Sequence, residues 1–161
     1  MKAIIVISML LCLFCPVMVG AEEKPPVQKQ PLEVTSGRME ADETEHKVTF
    51  YDKVVARQGD VVIYAEILSI IYTGETREVA RIVAERDVRI VQGNRIVTGG
   101  RAEYDHRSGI IELTGQPTIH QGKDAVSGDK ITVYLNEDKS VISSDGGSRV
   151  NALFHPKEAK P

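Results

Sequence analysis

Catalytic or metal chemistry in this 161-residue chain would have to be assembled from four histidines, 23 acidic residues and two cysteines. The stretch "EADETEH" (Glu40 to His46) gathers carboxylates and an imidazole, donors that suit a divalent cation. It lacks the ordered ligand spacing of a calcium loop, and a related stretch, "EYDHRSG" (Glu103 to Gly109), has lost most of the carboxylates. Both read as solvated turns. His46, His106, His120 and His155 stand in polar or turn contexts and read as surface groups rather than ligands. The chain contains no G-x-S-x-G elbow, no H-E-x-x-H, no G-x-x-x-x-G-K and no G-x-G-x-x-G. Neither an enzymatic activity nor a cofactor or metal is expected.

What repeats instead is a hairpin. "RQGDVVIYA" (Arg57 to Ala65), "VQGNRIVTG" (Val91 to Gly99) and "HQGKDAVSG" (His120 to Gly128) each set a Gln-Gly pair between alternating apolar and polar residues. Gln58 and Gln92 are 34 residues apart, Gln92 and Gln121 are 29 apart, and on that ruler the flanking apolar positions coincide. At a spacing of 63, Arg38, Glu40 and Asp42 match Arg101, Glu103 and Asp105. Fixed-period self-similarity marks a fold built by stacking one small unit. Alternation with period two predicts strands with one dry and one wet face. Gly59, Gly93 and Gly122 fall where a tight hairpin needs positive φ. The segment "GETREVARIVAER" fits helical and strand periods alike, and the ruler assigns it to a strand. The fold class is therefore all-β: stacked antiparallel hairpins winding into a twisted double layer.

The ends differ from this middle. "MKAIIVISMLLCLFCPVMVGA" carries one early lysine, an interrupted apolar run and a Val-Gly-Ala end. Residues 1–21 are therefore expected to be a secretory signal peptide, cleaved after Ala21. An uncleaved anchor needs about 20 apolar residues, more than Pro16 leaves, and Leu13 and Phe14 are bulky for lipidation at Cys15. Residues 22–31, with three prolines, read as an extended lead-in, residues 32–154 as the β domain and 155–161 as a polar tail. Cys12 and Cys15 both lie in the signal, so the mature chain forms no disulfide and has no thiolate site. Losing Lys2 leaves 19 bases against 23 acids, a net charge of −4. That balance argues against nucleic acid as a partner.

The inward positions are aliphatic with few rings: Met39 and Val133 join Phe50, Val54, Ile63, Leu68, Ile70, Ile82, Val88, Ile90, Val97, Tyr104, Leu113, Ile119, Val126 and Ile131. They fit either an ordinary core or two layers splayed around a groove for acyl chains. A stack also has two open edges, normally blunted by charge or proline. Leu32 and Val34 stand in the first expected strand, "LEVTSG". Val150, Ala152 and Phe154 alternate along the last, "SRVNALF". Strand-to-strand joining of copies and simple fraying both remain open from residues alone.

"VTGGRAEYDHRSGIIELTGQPTIHQGKDAVSGDKITVYL" (Val97 to Leu135) closely resembles the OstA-like repeat of the LptA family. The likeness lies in a Gly and an A-x-Y-D step before a hydrophobic strand, then L-x-G, a strand ending near Q-G, and a following G-D. Weaker copies cover most of Leu32 to Val150, although the copy after Leu135 lacks Q-G. The resemblance implies a slightly twisted β-jellyroll whose open hydrophobic groove takes the lipid A acyl chains of lipopolysaccharide. It implies a periplasmic location and end-to-end joining, both of copies and with like-folded domains. Those domains belong to an inner-membrane-anchored partner and an outer-membrane barrel partner. The groove would comprise the inward residues from Phe50 to Ile131, and edge pairing would use Leu32, Val34, Val150, Ala152 and Phe154. Two other readings compete with such a carrier: the membrane-anchored partner itself, and a self-assembling β-stack that binds no lipid. A glycan-lyase solenoid ranks last, for want of repeated inward carboxylates or lysines.

Overall fold

The alternating pattern folds as read. The computed structural model describes residues 31–74, 76–137, 139–145 and 148–156. The expected signal peptide, all of the lead-in except Pro31, the Gly146-Gly147 pair and residues 157–161 lie outside the described residues. Twelve antiparallel strands follow one another: β1 (Glu33–Thr35), β2 (Arg38–Asp42), β3 (Lys47–Gln58), β4 (Val61–Tyr72), β5 (Val79–Gln92), β6 (Arg95–Asp105), β7 (Ile110–Thr114), β8 (Thr118–Gln121), β9 (Asp124–Ser127), β10 (Lys130–Tyr134), β11 (Lys139–Ser143) and β12 (Asn151–Leu153). No helix occurs among the described residues. "VARIVAER" lies within β5, as the ruler requires.

Four long strands, β3 to β6, run through both halves of the molecule, and the remaining strands complete one half each. The pairing of β3 with β4 breaks between Tyr51 and Val54, and that of β5 with β6 between Glu85 and Val88. At these points Asp52 (φ 68°) and Lys53 (53°), then Arg86 (64°) and Asp87 (51°), take the left-handed conformation. Where β7 gives way to β8, Gly115 (76°) and Gln116 (58°) do the same. Bulges bend a strand and sharpen its twist, so these corners fold one continuous sheet into two facing layers. The first layer runs β1, β3, β4, β5, β6, β8, β9, β12; the second runs β2, β3, β4, β5, β6, β7, β10, β11.

The corners obey the ruler. Positions 52, 86 and 115 are spaced 34 and 29 residues apart, as are turn glycines Gly59 (φ 61°), Gly93 (56°) and Gly122 (62°). Gly100 and Gly115 meet back to back at the third corner, where the Gly100 N–H donates to the Gly115 carbonyl at 3.0 Å. A Cβ on Gly115 would lie 2.8 Å from the Gly100 backbone, closer than a side chain can approach. The 63-residue match holds too: the Asp42 carboxylate accepts from the Thr44 and Glu45 N–H groups, and Asp105 from the Ser108 N–H and hydroxyl. Those bonds hold Asp105 below the ordinary carboxylate range, Ser108's backbone N–H contributing most. The acidic run is thus a capped turn, and all four histidines are exposed.

Val54, Ala56, Ala65, Leu68, Ala84, Val88, Ala102, Leu113 and Ile131 form one buried cluster joining the two layers beside the corners. On the outer face of the second layer, ion pairs of Arg101 with Glu85 and Glu103 (2.6 Å each) and of Arg81 with Glu103 (3.2 Å) lie over Val83. Exposed pairs of this kind add little each, but their long stems cover Val83, which would otherwise be wet.

Candidate functional site: an apolar cleft between the layers

Register places the inward residues in rows across the sheet. In the first layer one row reads Val34, Ala56, Ile63, Ile90, Val97, Ile119, Val126, Ala152. In the second, Met39, Phe50, Leu68, Ala84, Ala102, Leu113, Ile131 and Ile142 form the row nearer the corners. Val48, Ile70, Ile82, Tyr104, Ile111 and Val133 lie two residues farther out. Side chains standing on one face of directly opposed strands touch their neighbours, so each row is a continuous apolar band.

The sequence-expected groove residues all fall on these inner faces, at two depths. Val54, Leu68, Ile70, Val88, Leu113 and Ile131 are buried and form a sealed floor. Phe50, Ile63, Ile82, Tyr104 and Val126 remain partly exposed, as do Ile90, Val97 and Ile119, which wall an open cleft. Met39 shares Phe50's face but sits on the edge strand β2, where 57% of it meets solvent. The walls do not close over the floor. An open cleft of about 220 Å³ lies between Ile90, Val97 and Ile119 of the first layer and Ile111, Val133 and Leu135 of the second. Gln92, Arg95, Gln121 and Ser140 rim it. A second opening, of about 400 Å³, lies at the β2–β4 end between Ala41, Val48 and Tyr72, among the charged groups of Asp42, Glu43, Lys47 and Arg77. Arg95 and Leu135 are additions that alternation alone did not single out. Counting backwards from Val97 by two would have put Arg95 on the inner face.

The edges carry apolar side chains. β1 pairs only with β3, and β12 only with β9, so each leaves one backbone edge unpaired among the described residues. Both are shorter than the sequence suggests; Leu32 precedes β1, and Val150 and Phe154 flank β12. Val150 (43% exposed), Leu153 (57%) and Phe154 (68%) crowd the carboxyl-terminal edge, joined by Val141 of β11 (41%). Two aspartates fasten this segment. Asp129 accepts from the Ser148 hydroxyl and from the Asp145 N–H, and Asp124 from the His155 N–H (2.8 Å) and Nδ1 (3.2 Å). The bonds hold both carboxyls below the ordinary carboxylate range; Ser148's hydroxyl contributes most at Asp129 and His155's N–H at Asp124.

Among the described residues no cluster of three or more His, Cys, Asp or Glu is placed to hold a metal ion, and no helix is long and apolar enough to cross a membrane. Fold and cleft define a class: repeat-built β-jellyrolls with an open apolar trough between two layers of one sheet. The chain belongs to the LptA/(LptD N-terminal domain) lipopolysaccharide transport protein family, whose pattern matches residues 33–139. It is similar to the lipopolysaccharide export system protein LptA of Escherichia coli K12, with 27% identity over 137 residues covering 80% of this chain and 73% of that one. LptA of Haemophilus influenzae is 24% identical over 136 residues, covering 80% and 79%. The crystal structure of Pseudomonas aeruginosa LptH, described as an LptA-homologous periplasmic component of the lipopolysaccharide transport device, superposes with a TM-score of 0.69 at 16% identity. That match covers 79% of this chain and 96% of LptH and establishes the shared fold.

Proposed function

We propose that this protein is a periplasmic carrier of lipopolysaccharide, holding the lipid A acyl chains in the cleft as part of a bridge between the inner and outer membranes. The observation that carries the reading is the open, aliphatic cleft walled by Ile90, Val97, Ile111, Ile119 and Val133. Each methylene moved from water into such a trough contributes about 0.8 kcal/mol, so a few acyl chains suffice for firm retention without any reaction. Family membership supports the choice of lipid. The apolar edge at β12 supports end-to-end joining, of copies or with like-folded domains of an anchored partner and a barrel partner, through main-chain pairing.

A photo-reactive residue at Ile90 or Val97 is expected to capture lipopolysaccharide in cells. One at Arg89, on the opposite face of β5, is expected to stay unlabelled. Equal capture at both positions refutes the assignment of the cleft.

A further inference from the structure

Beyond the apolar row of the first layer, one step nearer the hairpin turns, lies a polar row that the carrier reading has not used. Gln58, Val61, Gln92, Arg95, Gln121 and Asp124 face one another in turn across β3, β4, β5, β6, β8 and β9. Two-residue alternation puts them on the same face as Ile63, Ile90, Val97 and Ile119. Gln92, Arg95 and Gln121 accordingly rim the cleft that those residues line. The three glutamines are the repeated Gln of the Gln-Gly pairs, so the row is built by the repeat itself.

Arg95 and Asp124 are the charged members of the inner rows. Asp124 is occupied by His155. Arg95 is not matched in this way. Its Nη2 donates to the Gln121 Oε1 at 3.5 Å, the long limit of such a bond, and among the described residues no carboxylate approaches it within 4.0 Å. Beside it, Gln92 donates from Nε2 to the Asp60 Oδ2 at 3.3 Å, which leaves the Gln92 Oε1 to accept. A guanidinium at the mouth of an apolar trough, flanked by amides and without a carboxylate of its own, suits the head of an anionic amphiphile. Its fork matches the oxygens of a phosphate or carboxylate, while carboxamides exchange hydrogen bonds with hydroxyls or further oxygens.

We propose that this row is a head-group lip. Arg95 binds the anionic group of the amphiphile whose chains lie in the cleft, and Gln92 and Gln121 bind the neighbouring polar atoms. This assignment rests on the carrier reading and adds a second recognition element to it. A single cation among amides also suits passage along the trough, since a row of cations would hold each anion at its own site.

The test compares full-length mature protein, Arg95→Gln and the outward control Arg89→Gln. Binding is followed by displacement of a fluorescent apolar dye, at low and high salt, by lipopolysaccharide, phosphatidylglycerol or the uncharged dodecyl maltoside. Arg95→Gln is expected to weaken lipopolysaccharide about tenfold at low salt, with a smaller difference at high salt. Dodecyl maltoside should bind unchanged, and Arg89→Gln should match the wild type. Wild-type lipopolysaccharide affinity and salt dependence in Arg95→Gln would overturn the lip, as would equal loss of dodecyl maltoside. Weakening confined to phosphatidylglycerol would assign the lip to phospholipid and overturn its role toward lipopolysaccharide. If the wild type bound none of the three, the carrier reading would fall and take the lip with it.

Discussion

Leu68→Ala and Ile119→Ala should separate floor from wall. Leu68 is 1% exposed, at the centre of the buried cluster. Its truncation leaves a sealed void and should cost about 3 kcal/mol, or roughly 12 °C of Tm in a domain of this size. Ile119 faces the open cleft, so its truncation leaves no sealed void. The three carbons removed would be worth about 2.4 kcal/mol at full burial and about half of that on a half-covered wall. Ile119→Ala should therefore lower Tm by only about 5 °C. The other half is realised when a lipid chain covers the wall, which predicts a seven- to tenfold rise in Kd. Leu68→Ala, already covered in the free protein, should shift Kd less than about threefold. Circular-dichroism melting gives the first quantity, and dye displacement by lipopolysaccharide the second. An Ile119→Ala protein that melts as early as Leu68→Ala yet binds lipid as the wild type does would show that the wall is ordinary core.

Gly115→Ala should lower Tm by at least 10 °C, because a left-handed φ of 76° and a 2.8 Å approach to Gly100 penalise it together; Gly122→Ala, at φ 62° with nothing within 4 Å, should cost about 1 kcal/mol. Acidification should loosen the carboxyl-terminal segment. Asp124 and Asp129 have lowered folded-state pKa values, so their contribution is present above the ordinary value of 3.8 and is lost as pH falls through the folded values. Protection of residues 148–156 against hydrogen exchange, taken relative to the intrinsic rate at each pH, should fall below about pH 4, and Asp129→Asn should show the lower protection already at neutral pH. Removing residues 148–156 should abolish concentration-dependent assembly in light scattering while leaving the melt of the remaining sheet within a few degrees, since β12 pairs through only three residues.

Much of this architecture was legible because one physical constraint wrote it three times. The faces of β3 to β6 could be read from two-residue alternation, and the turns from Gly59, Gly93 and Gly122, whose conformation disfavours other residues. The corners were not legible. Asp52, Lys53, Arg86 and Asp87 are ordinary polar residues that adopt positive φ only because the layers on either side hold them there. Depth was hidden as well: Ile63 and Leu68 look alike in a pattern of apolar positions. Five residues apart, they would stand on opposite faces of a regular strand; the register shift between Tyr64 and Ile67 turns both inward, and Leu68, in the row nearer the corner, is the one that is buried. Arg95 was not legible for the complementary reason: apolar alternation does not mark a charge that shares the inner face.

The ruler also sets where the sheet bends. Turn and corner recur at the same spacing, so each hairpin bends at the same distance from its tip. Eight strands per layer, at about 4.8 Å each, make each layer roughly 34 Å wide. A neighbouring copy paired at the β12 edge would continue the spacing, the apolar row ending in Ala152 running on into the row beginning at Val34. Interior and edge are then two consequences of one repeated bend. A substitution that straightened a corner would disturb lipid retention and end-to-end joining together, whereas one confined to a wall would disturb retention alone.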